Sequence, residues 1–314
     1  MTDASWRPSS IGAIAERYLS DGYAVVEGLV MREEIAAINA IMIDIARGAY
    51  PCGGLDPAGS QANEDEALAR VTTVHHPHYV VPALMETVRH PNIVQILATI
   101  IGAHLPPEWW DGGVKCMQSM MFCKPPGALG QAWHQDEAFI PTRDRSLCGA
   151  WIALDDATVD NGCLWTLPGR HRPGVLYPTH PHDRPEEWDH TEALVGLDLS
   201  GAVPIEAERG SVVFFNGYLP HMSKRNRTGS YRRAFVSHYM TMQSLLPWYV
   251  DPKELEGWRV ASADQRAVVP VTGIDPHAAK GYRIPEHGMY LRGANAAPSM
   301  KPPGQDADAE SMTT

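Results

Sequence analysis

Between Met31 and Ala46 apolar side chains recur at Ile35, Ile38, Ile41, Met42 and Ile45. That three-and-four spacing lays one stripe along an amphipathic helix. A shorter helix is expected from about Ile11 to Leu19, followed after an Asp-Gly turn by the β-rich run Gly22-Tyr23-Ala24-Val25-Val26. A third helical stretch fits from about Val81 to Ile101, broken near His90-Pro91-Asn92, where Asn92 can cap a second segment. Residues 47 to 68, with Pro51, Gly53, Gly54, Pro57 and Gly59, read as a long exposed loop.

Beyond Gly112 the pattern shortens to β-rich runs at about 114 to 123, 147 to 154, 162 to 166, 211 to 215 and 233 to 240, divided by Gly, Pro and Asn/Asp turns. Such a series predicts a mainly β protein, an antiparallel double sheet with flanking helices. The stretch from about Tyr177 to Leu199 is too long for a tight turn and is expected to form a lid over the mouth of the barrel. The polar residues 294 to 314 are expected to be a disordered tail behind one domain spanning 1 to 293.

Composition narrows the class. The 314 residues carry a formal charge of −11, which argues against nucleic acid or an anionic membrane as partner. The N-terminus lacks the basic and apolar regions of a signal peptide, and no apolar run approaches the roughly 18 to 20 residues that span a bilayer. A cytoplasmic protein is expected. Cys52, Cys116, Cys123, Cys148 and Cys163 are odd in number and lack CxxC spacing, so reduced thiols are expected rather than disulfides or a zinc knuckle.

The chemistry gathers at Trp133-His134-Gln135-Asp136. In an extended segment His134 and Asp136 leave the same face and can grip one metal ion. His221, far downstream after Phe214-Phe215-Asn216-Gly217, would complete two nitrogens and one carboxylate oxygen, the facial pattern of non-haem Fe(II) oxygenases. An oxygenase that uses 2-oxoglutarate must also hold the cosubstrate's distal carboxylate, which a guanidinium does bidentately. In Arg232-Arg233-Ala234-Phe235-Val236, alternation sends one arginine inward and the other out.

Several segments together resemble the phytanoyl-CoA dioxygenase family, and its domain-containing members most. They are Gln118 to Pro126, the Trp133 to Asp136 run, Trp151 to Thr158, Asn161 to Trp165, Pro168-Gly169-Arg170-His171, and the pair His221 and Arg232. The resemblance is strong from about 113 to 240 and weaker from about 20 to 105. It implies a double-stranded β-helix, or jelly roll, with its core at about 113 to 245 and a helical part at about 10 to 105. It implies His134, Asp136 and His221 as iron ligands, and cosubstrate contacts from Met120, Gln135, Trp151 and Arg232, with Ser223 and Arg70 as weaker candidates.

The implied activity is that of an Fe(II)- and 2-oxoglutarate-dependent dioxygenase, an oxidoreductase. It would consume O2, release succinate and CO2, and hydroxylate or desaturate an unactivated C–H bond of a small-molecule substrate. Related halogenases replace the carboxylate ligand, so Asp136 favours hydroxylation or desaturation over halogenation. Two rival readings stand beside this one: a jelly-roll iron oxygenase that does not use 2-oxoglutarate, and a silent jelly roll that only binds a ligand. Plainer roles suit other residues. His75-His76-Pro77-His78 reads as a loop near the pocket mouth, Trp109 and Trp110 as packing, and His238 as a buried, hydrogen-bonded histidine.

Overall fold

A computed structural model describes residues 11–246, 268–280 and 288–292; the expected tail lies outside the described residues. The chain opens with helix α1 (Ile11–Asp21), strand β1 (Tyr23–Val26) and helix α2 (Arg32–Arg47). Helix α3 (Glu64–Leu68), strand β2 (Thr73–His75) and helices α4 (Pro82–Val88) and α5 (Pro91–Ile100) follow. Then come β3 (Val114–Lys124), β4 (Cys148–Ala153), β5 (Leu164–Thr166), β6 (Thr179–His180), β7 (Ala193–Leu194) and β8 (Val203–Ile205). The last strands are β9 (Val212–Asn216), β10 (His221–Ser223), β11 (Arg232–Thr241), β12 (Val269–Thr272) and β13 (Tyr290–Leu291).

The main sheet runs β1-β9-β4-β11-β3-β2-β13, with β12 also on β3, and every pairing is antiparallel. A smaller sheet, β10-β5-β8, faces it, as expected of a jelly roll. Strand alternation divides the core between the two faces of the main sheet. Met121, Ala150, Ile152, Phe214, Phe235 and Tyr239 pack on one face against the α2 stripe and the apolar side of α5. Met120, Trp151, Phe215, Ala234 and Val236 point the other way, towards the small sheet. Burying an apolar side chain contributes roughly 1.5–3 kcal/mol, so each strand is held by both of its faces.

The helical part departs from expectation in two places. Residues 64 to 68 of the expected loop form α3, because Asn63 accepts the Glu66 backbone N–H while the Glu66 carboxylate accepts that of Asn63. The break near residue 90 is capped differently: Pro91 occupies the first turn of α5, where its missing N–H costs nothing, and Asn92 lies inside the helix. The strands β3, β4, β5, β9 and β11 fall within about two residues of the expected runs, whereas β2, β6, β7, β8, β10, β12 and β13 have no counterpart among them.

His78 links the helical part to the sheet, with Nδ1 2.5 Å from Ser119 Oγ. Burial pulls its pKa down from 6.5 to about 3. The unfolded chain therefore binds this proton more readily than the native state, so the stability is complete above pH 6.5 and drains as pH falls towards 3. In urea titrations between pH 7 and 4, the wild type should lose roughly 1 kcal/mol per pH unit relative to His78→Gln over the lower half of that range. A gap that stays constant with pH would show that the folded state takes up this proton as easily as the unfolded chain does.

Candidate active site

His134, Asp136 and His221 offer ligand atoms that all lie within 4.8 Å of one another. Each histidine Nε2 stands 3.7 Å from Asp136 Oδ1. The convergence arises where two segments pair, His134 N–H donating to His221 C=O at 2.9 Å and His221 N–H returning to His134 C=O at 3.0 Å. His134 is thus held by a single bridge rather than by a regular strand, and Asp136 opens a 3-10 turn, Asp136–Ala138. His221 starts β10 in the small sheet instead of ending the apolar strand β9.

The imidazoles are prepared for a cation. His134 Nδ1 donates to Ala132 C=O at 2.8 Å and His221 Nδ1 to Leu219 C=O at 2.9 Å, which leaves both Nε2 lone pairs directed at Asp136. Burial, reinforced by His221, lowers the His134 pKa to about 3 and keeps that ring neutral. Burial alone would raise the Asp136 pKa, but His221 and His238 outweigh it and hold the carboxyl below its usual range. His238 Nε2 donates to Asp136 Oδ2 at 2.9 Å, so only Oδ1 faces the two imidazoles. Two imidazole nitrogens and one oriented carboxylate oxygen fit a divalent metal ion.

The site opens into a cavity of about 980 Å³ between the two sheets. Arg232 lines it beyond the triad, 4% exposed, with its guanidinium 5.5 Å from the Trp151 ring and its Nε without a hydrogen-bond partner among the described residues. Burial lowers the Arg232 pKa to about 10. Its neighbour Arg233 points outward and is spent on Asp155, with Nε 2.8 Å from Oδ2 and Nη2 2.9 Å from Oδ1. A buried guanidinium without a carboxylate is costly unless an anion arrives to meet it.

A sequence model of the phytanoyl-CoA dioxygenase family matches residues 18–234. The chain belongs to this family. Among its relatives, phytanoyl-CoA dioxygenase 1 of Oryza sativa subsp. japonica is 37% identical over 123 residues, 39% of this chain and 43% of that protein. The peroxisomal phytanoyl-CoA dioxygenase of Rattus norvegicus is 30% identical over 71% of this chain and 66% of its own. The chain spans about half the length of the first curated relatives it matches, at 43% and 51%. A solved structure of the epimerase SnoN, in complex with Fe3+, alpha-ketoglutarate and nogalamycin RO, superposes with a TM-score of 0.59 at 18% identity, over 85% of this chain and 97% of that one. This last likeness concerns the fold.

The remaining expectations for the phytanoyl-CoA dioxygenase site divide. Met120, Trp151 and Ser223 line the cavity with Arg232. Gln135 does not: its amide donates to Val175 C=O at 2.9 Å and Tyr218 C=O at 2.7 Å and accepts from Tyr177 N–H, so it anchors loops on the opposite side. Arg70 likewise stands outside the cavity lining, exposed and paired with Asp56 at 2.8 Å. Residues that the sequence reading left out stand in the cavity wall, notably Gln118 and Lys124. His238, expected to be a buried and bonded histidine, is one, and its partner is Asp136.

The segment from 177 to 199 folds over the cavity, with Thr179 of the β6-β7 ribbon and Asp189, His190, Thr191 and Glu192 in its wall. It is fastened at Gly130, which exchanges backbone hydrogen bonds with Glu187 and Asp189 at 2.8 Å. A Cβ at Gly130 would fall 1.9 Å from Ser223 C=O, so only glycine permits this approach. His75 also lines the cavity, stacked on Tyr290 with ring centres 4.9 Å apart, whereas Trp109 is 64% exposed and outside it.

Proposed function

We propose that the chain is an Fe(II)- and 2-oxoglutarate-dependent dioxygenase that hydroxylates or desaturates an unactivated C–H bond of a small molecule, releasing succinate and CO2. One observation carries the reading: a buried Arg232, whose Nε has no partner among the described residues, shares a cavity with the His134, Asp136 and His221 ligand set. The first group suits the far carboxylate of a dicarboxylate, and the second suits a metal that its keto acid end can chelate. When bound, the metal and keto acid supply the O2-activating chemistry, in which oxidative decarboxylation accompanies oxidation of the substrate. That the Rattus norvegicus relative is named a phytanoyl-CoA dioxygenase and that SnoN was solved with Fe3+ and alpha-ketoglutarate support the class.

The protein's own residues bind, orient and exclude water. His134 and His221 present Nε2, and His238 keeps Asp136 turned so that one carboxylate oxygen faces the metal. Phe139, Ile140 and Met222 supply an apolar wall close to the triad, which keeps bulk water from the reacting C–H bond. His75, His190, Thr191 and Arg292 make the outer wall polar, in keeping with a polar substrate. Among the described residues no helix is long and apolar enough to cross a membrane; a cytoplasmic location is part of the proposal.

Anaerobic titration of the Fe(II)-loaded protein with 2-oxoglutarate should raise a visible charge-transfer band. Candidate compounds added in air should then release succinate in proportion to their own oxidation. Absence of the band would sink the keto acid reading and favour a silent binding protein. A band without any substrate-dependent succinate, over a broad panel of polar and acyl compounds, would remove the proposed substrate class.

A further inference from the structure

Lys124 and Arg232 are direct partners across β3 and β11, so their side chains leave the same face and enter the cavity together. Lys124 is 8% exposed and Arg232 4%. Opposed like charges destabilise a strand pair, and burial makes this worse. The Lys124 ammonium donates to Ser223 Oγ at 3.0 Å and to Lys224 C=O at 2.7 Å, and neither cation is paired with a carboxylate among the described residues. The arrangement becomes favourable when an anion sits between them.

Ser223 adds an independent sign. A hydroxyl has two lone pairs and one proton. Its oxygen receives the Lys124 ammonium and, at 3.1 Å, the Gln131 backbone N–H, which fills both lone pairs. The proton must therefore leave on the remaining side, and Ser223 lines the cavity. A hydroxyl fixed as a donor selects an acceptor, and a carboxylate is the strongest one available to it.

We infer that Lys124 is a second anchor for the distal carboxylate of the keto acid, through its own charge and by fixing Ser223 as a donor. This deepens the proposed function and rests on it. Arg232 supplies the planar fork, Lys124 the second charge, and Ser223 the directed hydrogen bond. The subsite thereby discriminates a dicarboxylate from a keto acid of equal length that ends in a methyl group.

The test compares 2-oxoglutarate with 2-oxopentanoate, which carries a methyl group where the distal carboxylate stands. Affinities are read by calorimetry on the full-length Ni(II)-loaded protein and by the charge-transfer band with Fe(II) in the absence of air. Lys124→Met should weaken 2-oxoglutarate by roughly 10- to 100-fold, the range for a charge-assisted hydrogen bond, and leave 2-oxopentanoate unchanged. Ser223→Ala should cost about 10-fold on 2-oxoglutarate in the wild type and much less once Lys124 is Met, because the hydroxyl is then no longer oriented. Equal losses on both keto acids, or no loss, would overturn the anchor, and strictly additive losses would overturn the fixing of Ser223. Should Lys124→Met fail to fold, Ser223→Ala against the two keto acids decides alone, since an equal effect on both overturns the subsite. Failure of the wild type to bind either keto acid would instead defeat the proposed function itself.

Discussion

Replacing His134 or His221 with alanine is expected to abolish turnover and metal retention while the native fold persists. Each imidazole supplies one of three ligand atoms, and among the described residues no other His, Cys, Asp or Glu joins this group; His238, close by, already spends Nε2 on Asp136. Loss of a residue that merely orients a ligand costs roughly 10- to 100-fold in metal affinity, so loss of a ligand itself should exceed that and leave under about 1% of activity. The fold should survive because the backbone exchange between His134 and His221 does not need either ring. Iron content after gel filtration, turnover, and the thermal unfolding of the metal-free variants check this together. Full activity with iron retained in either variant would remove the ligand assignment. Collapse of the metal-free fold would show that the rings are structural.

The parts of this site legible in the sequence are those that depend on local alternation. His134 and Asp136 share a face because the intervening backbone is extended, with φ −127° and ψ 126° at Gln135. The same alternation sends the Gln135 side chain the other way, where its amide holds Val175 and Tyr218, although family resemblance implied a cosubstrate contact for it. Arg232 and Arg233 divide between cavity and surface for the same reason. What could not be read is register. Nothing in the spacing says that Lys124 stands opposite Arg232, or that His134 bridges His221, because strand pairing is decided by long-range packing. The placement of Arg70 is likewise long-range, since this basic residue reaches Asp56 on the surface. In the helical part the overlooked signals were local: Asn63 followed by Glu66, and Pro91 as a first-turn residue, were both readable amid Gly and Pro.

Arg232→Met is expected to move affinity and stability in opposite directions. The guanidinium is buried, its Nε lacks a partner among the described residues, and the face of Trp151 stands 5.5 Å away. With no cosubstrate the fold carries an uncompensated cation, and an apolar side chain of similar length relieves part of that cost. A gain of about 1 kcal/mol would raise the melting temperature of the ligand-free protein by roughly 2–4 °C. In the complex the balance reverses, because a bidentate charge-assisted contact to a carboxylate is lost; removing one partner of such a buried pair costs roughly 2–5 kcal/mol. Half-saturation by 2-oxoglutarate should accordingly rise about 30-fold or more, with kcat at saturating cosubstrate much less affected. The melting temperature with and without 2-oxoglutarate, measured beside the kinetics, separates the two terms. A variant that is less stable without ligand and normal in half-saturation would mark Arg232 as a packing residue, whose charge is met by something other than the cosubstrate.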